Sequence, residues 1–164
     1  GRQIYDLTVN DVKQYAQTGI LGNATNTASL FNALPGNLLG ASVDSVDAGS
    51  KTIKVSYSYQ EDTVDDDELD EALVYNAAVA MCATDAPDTV QYTVCDELKD
   101  YDHDHSRGWD HDVYVITRRN LEDVLGVKLN ADCLASQDAL ENSIRNQVLI
   151  EDLSDYVLDR AERS

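Results

Sequence analysis

Positive charge is what this sequence has least of. Twelve Lys and Arg stand against thirty-one Asp and Glu, a formal net charge of −19, and a surface of that sign repels nucleic acid phosphates and anionic membranes. Both partner classes are disfavoured; the acidity itself serves solubility, or attracts cations or a basic partner. Long apolar runs are also missing. None reaches eighteen residues, so the sequence offers no membrane-spanning helix. Cysteine is sparse and odd in number: Cys82, Cys95 and Cys133 include no CxxC pair, which excludes a disulfide framework. No bridge is expected. Cys82 and Cys95 read as small buried hydrophobes and Cys133, in a loop, as the one candidate reactive thiol. No GxSxG, GxGxxG, P-loop or HExxH occurs, so hydrolase, nucleotide and zinc-peptidase readings have no motif behind them. The expectation is a non-enzymatic protein without a catalytic residue or cofactor, a divalent cation excepted.

The content that remains is that of an ordinary core. With 164 residues and 43% apolar content, one domain suffices. The chain begins Gly1-Arg2-Gln3 and its one methionine is Met81. The expected organisation is a lead-in, residues 1–18, following a removed signal or anchor, and a single domain over 19–164.

The clearest element is a helix from Asp65 toward Pro87. Asp65 to Glu68 place four acids at the positive end of a helix dipole, and Asp85-Ala86-Pro87 stops it. Leu69, Leu73, Ala77, Ala80 and Thr84 recur at helical spacing, and Ala72, Val74, Ala78, Val79 and Met81 widen the stripe until most of the later turns are buried. Earlier in the chain, Thr8 and Asp11 have capping-box spacing. Gly19 and Gly22 flank an apolar pair, and Asn26 or Thr27 can cap a short helix that ends at Pro35. Leu38 to Val46 and Thr52 to Tyr59 read as strands of a hairpin, the second alternating Ile53, Val55, Tyr57 and Tyr59 against Thr52, Lys54, Ser56 and Ser58. Thr89 to Cys95 and Val113 to Thr117 supply two more strands.

After them, Asn120 can cap a short helix closed by Gly126. A last helical region over residues 136–160 shifts its stripe by one residue at Val148 to Ile150, fitting one helix with a rotating face or two with a bend. The order α-β-β-α-β-β-α predicts an α+β, two-layer domain: an antiparallel sheet of about four strands with helices on one face.

The segment from Tyr15 to Val94, with Gly19-Ile-Leu-Gly22, a helix ending in Leu34-Pro35, the strand containing Tyr57 and the run Asp88-Thr-Val-Gln-Tyr-Thr-Val94, resembles Firmicutes domain-of-unknown-function family number 4825. The resemblance implies an extracytoplasmic, cell-envelope domain held by a lipoprotein or membrane anchor, and it carries no activity or catalytic residue with it.

All three histidines fall in one window, residues 102–112. A turn at Ser106-Arg107-Gly108 would pair His105 with Trp109 and His103 with His111, gathering the histidines on one face of a ribbon. Asp102 opposite Asp112 and Asp104 opposite Asp110 would occupy the other. One face could offer imidazoles to Zn2+, Ni2+ or Cu2+, the other carboxylates to Ca2+; the plainer reading is a solvated loop. Paired acids such as Glu61-Asp62 and Glu151-Asp152 read as surface content. Tyrosine is enriched, nine against one Phe and one Trp, and suits either sheet packing or a sheet face open to a protein or glycan partner. The expectation is therefore an envelope-associated binding or sensory domain, with metal binding at the His/Asp hairpin as the alternative.

Overall fold

The computed structural model describes residues 7–35, 41–59, 65–96 and 111–163. In chain order these form α1 (Val9–Thr18), α2 (Ala24–Ala33), β1 (Ala41–Asp47), β2 (Thr52–Tyr59), α3 (Asp66–Ala80), β3 (Thr89–Asp96), β4 (His111–Thr117) and α4 (Arg118–Leu125). A 3-10 turn, Ala131–Leu134, then leads to α5 (137–148), α6 (Leu153–Ala161) and the two-residue β5 (Glu162–Arg163).

Helix α3 begins where the acids predict. The Asp65 carboxylate accepts from the amides of Asp67 and Glu68 at 2.8 and 3.3 Å, satisfying donors that the first turn leaves without helical partners. Every residue from Ala72 to Ala83 is buried, as a helix apolar on all sides requires. The helix itself closes at Ala80. Asp85, expected as part of the stop, instead accepts from the Ile20 and Gly22 amides and pins the α1–α2 connection against the end of α3. The capping-box expectation for α1 holds: the Asp11 carboxylate accepts from the Thr8 amide at 2.9 Å. For α2 the cap is Asn23, whose side chain accepts from Asn26 N at 3.0 Å, in place of Asn26 or Thr27. Those two face inward, Asn26 Nδ2 donating to Tyr15 O and Thr27 Oγ1 to Ile20 O. Likewise Thr117 caps α4, one turn before the expected Asn120.

The sheet has five strands in the order β1-β2-β3-β4-β5, so the α+β class is as expected, with a pairing that differs in one step. Strands β1–β2, β3–β4 and β4–β5 are antiparallel, whereas β2 and β3 run parallel, Ile53 beside Val90 and Tyr57 beside Val94. The cause is α3. A helix between two strands returns the chain to the end from which it left, which is what a parallel pair needs. Alternation sorts the faces. Ile53, Val55, Tyr57, Val90, Tyr92, Val94 and Ile116 point into one core shared with the helices, and Lys54, Ser56, Gln91, Thr93 and Val115 stand exposed or half-exposed on the other side.

Tyr57 and Tyr92 belong to the covered face. Their rings pack at 5.6 Å between centroids, the Tyr92 hydroxyl donates to Leu73 O at 2.7 Å, and buried Asn76 donates to Tyr57 Oη at 3.1 Å. These two tyrosines are sheet packing, and the open face is polar. Arg118 closes the end of the core. Its guanidinium donates to the carbonyls of Met81, Pro87 and Leu129 and stands 3.4 Å from Asp88, tying the end of α3 to the segment that carries Cys133. Among the described residues, no helix is long and apolar enough to cross a membrane.

Candidate functional site: an acidic cleft between α3 and α6

The stripe shift at Val148 to Ile150 is a break between two helices. The α5 turns end at Val148, and Asp152 takes the left-handed conformation (φ 65°) before α6 begins, a conformation that aspartate tolerates better than most side chains. A π-type turn, Glu141–Arg145, rotates the α5 face beforehand, so that Ile144 and Val148 stay buried while Ile150 is left 53% exposed.

The break lies against the N-terminal half of α3. Asp67, Asp70 and Glu71, at i, i+3 and i+4, share one face of that helix and meet Glu151, Asp152 and Asp155 across a cleft of about 300 Å3, with Val148 to Ile150 and Ser154 completing the wall. One carboxylate oxygen each from Asp67, Asp70 and Asp155 lie within 4.8 Å of one another. At that separation each pair of unit charges repels by roughly 1 kcal/mol in bulk water and about 3.5 at an effective dielectric of ~20. The N-termini of α3 and α6 both open here, and each supplies about half a positive charge, too little to balance six carboxylates. Lys, Arg and His are absent from the described lining.

Two further features mark the cleft. The Glu71 carboxyl is pushed above its ordinary value by burial first and then by the charges of Asp67, Glu68 and Asp65. Ser154 is only 5% exposed, lines the cleft, and among the described residues its hydroxyl has no hydrogen-bond partner. A buried hydroxyl in that state costs about 1–3 kcal/mol. The arrangement is a set of hard oxygen donors suited to holding a cation.

Of the hairpin residues, Asp102, His103, Asp104, His105 and Asp110 lie outside the described residues. His111 opens β4 opposite Cys95, and Asp112 stands exposed opposite Val94. Sequence reading passed over the cleft because its acids come from segments some eighty positions apart, each resembling ordinary surface content. The signal that pointed to it was the stripe shift, read beside Glu151-Asp152.

A thiol pair lies elsewhere in the core. Cys133, expected in a loop, is buried in the 3-10 turn; its thiol donates to Lys128 O at 3.2 Å and that of Cys82 to Ala78 O at 3.3 Å, and the neighbouring Cys82 thiol, with the Asn130 amide and the Ser143 hydroxyl, lowers the Cys133 pKa to about 6. The proximity of the two thiols, together with burial, raises Cys82. Compared with family models, with curated proteins and with solved structures, the chain matches none.

Proposed function

We propose that this chain is a non-enzymatic binding or sensory domain that takes up a cationic ligand in the cleft between α3 and α6. The observation that carries the reading is the lining: among the described residues, six carboxylates and no basic side chain around about 300 Å3, in a chain of net charge −19. A binding role rather than a catalytic one is supported by the site's chemistry. Its one hydroxyl, Ser154 Oγ, is sealed from water and has no hydrogen-bonded base among the described residues, whereas a nucleophile needs one within reach. Placement in the cell envelope rests on the resemblance over Tyr15 to Val94 and remains part of the proposal.

Thermal unfolding of the chelator-treated protein with Ca2+, Mg2+, spermidine and a neutral sugar tests the reading. A cation that binds only the native state raises the transition. The expected result is a rise with a cation that shrinks when Asp67 and Asp155 are both changed to Asn, and none with the sugar. Equal indifference to all four probes would contradict it.

A further inference from the structure

We propose that Cys82 and Cys133 form an oxidation site, at which hydrogen peroxide or another small hydroperoxide converts the two thiols into a reversible disulfide. The inference is independent of the acidic cleft, which lies at the other end of α3.

The fold brings the thiols together from two segments. Cys82 follows the last turn of α3, and its thiol donates back to Ala78 O at 3.3 Å. Cys133 sits in the Ala131–Leu134 turn, and its thiol donates to Lys128 O at 3.2 Å. Arg118 holds these segments against each other: one guanidinium donates both to Met81 O, next to Cys82, and to Leu129 O, next to Lys128. Each thiol is a neighbour of the other, and both are buried. A single buried cysteine acts as a small hydrophobe. A buried pair has a second option, because each thiol is the partner that the other needs.

A route for the oxidant is present. A pocket of about 250 Å3 is lined by Cys82 together with Ala131, Leu134 and Ala135, residues that flank Cys133. At about 30 Å3 per water, such a volume holds several molecules the size of hydrogen peroxide. The two thiols also differ in the sense the chemistry requires. The Cys133 pKa lies low, at about 6, chiefly through Cys82, so at neutral pH Cys133 is the thiolate and the nucleophile; Cys82 is raised and keeps its proton. The Cys133 thiolate attacks one peroxide oxygen, the O–O bond breaks, and the departing hydroxide takes a proton from solvent and leaves as water, giving a sulfenic acid. Cys82 then attacks that sulfur while its proton passes to the leaving oxygen. The S–S bond forms, the S–O bond breaks and a second water departs. The thiols are oxidised by two electrons, and the peroxide is reduced to water. The bridge joins positions fifty-one apart and fastens the end of α3 to the turn after α4, stabilising the fold against the unfolded chain.

The test is peptide mass mapping of the full chain, reduced, freed of reductant, titrated with hydrogen peroxide until Cys95 is oxidised, and then alkylated in denaturant. The expected result is one dominant link between the Cys82 and Cys133 peptides, reversed by dithiothreitol, absent in Cys133→Ser and unchanged in Cys95→Ser. The thermal transition should rise with the link by on the order of 10 °C. Cys133 carried on to sulfinic acid while Cys82 stays free to alkylate would overturn the pair, as would Cys82 and Cys133 both still reduced once Cys95 has reacted. A link without a thermal rise would overturn the stabilising role. These outcomes are read on the unsubstituted chain, so they decide the matter even where a variant fails to fold.

Discussion

At the scale of single residues, the core shows what a buried hydroxyl gains or loses by its partner. Tyr92 and Tyr75 are both fully buried, but the Tyr92 hydroxyl reaches Leu73 O and that of Tyr75 has no partner among the described residues. Tyr92→Phe should cost about 1 kcal/mol, whereas Tyr75→Phe should be neutral or stabilising by up to about 1 kcal/mol; urea unfolding of the two variants measures the difference, and equal losses would show that Tyr75 is satisfied after all. The thiols make a sharper case. Cys133 should titrate near pH 6, and in Cys82→Ala, without the neighbouring thiol, its pKa should climb toward the ordinary 9.0. Thiolate ultraviolet absorbance followed against pH reads this directly, and an unchanged midpoint would remove Cys82 as the cause. That Cys133 was the thiol to watch was legible from the sequence. That its neighbour is Cys82 was not, because the contact joins positions fifty-one apart that Arg118 brings together through Met81 and Leu129.

At the scale of elements, α3 was the most legible part of the chain and β5 the least. Asp65 to Glu68 announce a helix start because carboxylates satisfy free amides and face the positive end of the dipole, and alanines at 77, 78 and 80 announce burial against a sheet. A two-residue strand has no pattern to read. The parallel pairing of β2 with β3 was equally hidden, since alternation with period two is the same in either direction. The start of α3 also gives a pH-dependent prediction. Glu71 has its pKa raised in the fold, so its penalty is absent below the ordinary value of 4.5 and fully present above the raised one. Glu71→Gln should therefore raise stability at neutral pH, and the gain should fade as pH falls to the ordinary glutamate range. Calorimetric unfolding across that range checks it; a gain that persists in acid would place its origin outside the charge.

At the scale of the whole molecule, the central helix and the C-terminal helices meet at a cleft lined by six carboxylates. The five-stranded sheet and its helices would fold around α3 without any use for six carboxylates in one cleft, and in a chain of net charge −19 their repulsion adds to the cost of compaction. A bound cation would offset that repulsion. The fold class was legible because periodicity reports burial element by element. The site was not, because it depends on two acidic segments that only the tertiary fold brings together. The most direct test locates the ion: anomalous diffraction from crystals of the full chain grown with Tb3+, a hard trivalent stand-in for Ca2+. The expected result is one dominant peak within coordination distance of the Asp67, Asp70 and Asp155 carboxylates. A dominant peak elsewhere, such as on residues 102–112, or none at saturating Tb3+, would contradict the assignment of the α3–α6 cleft as a cation site.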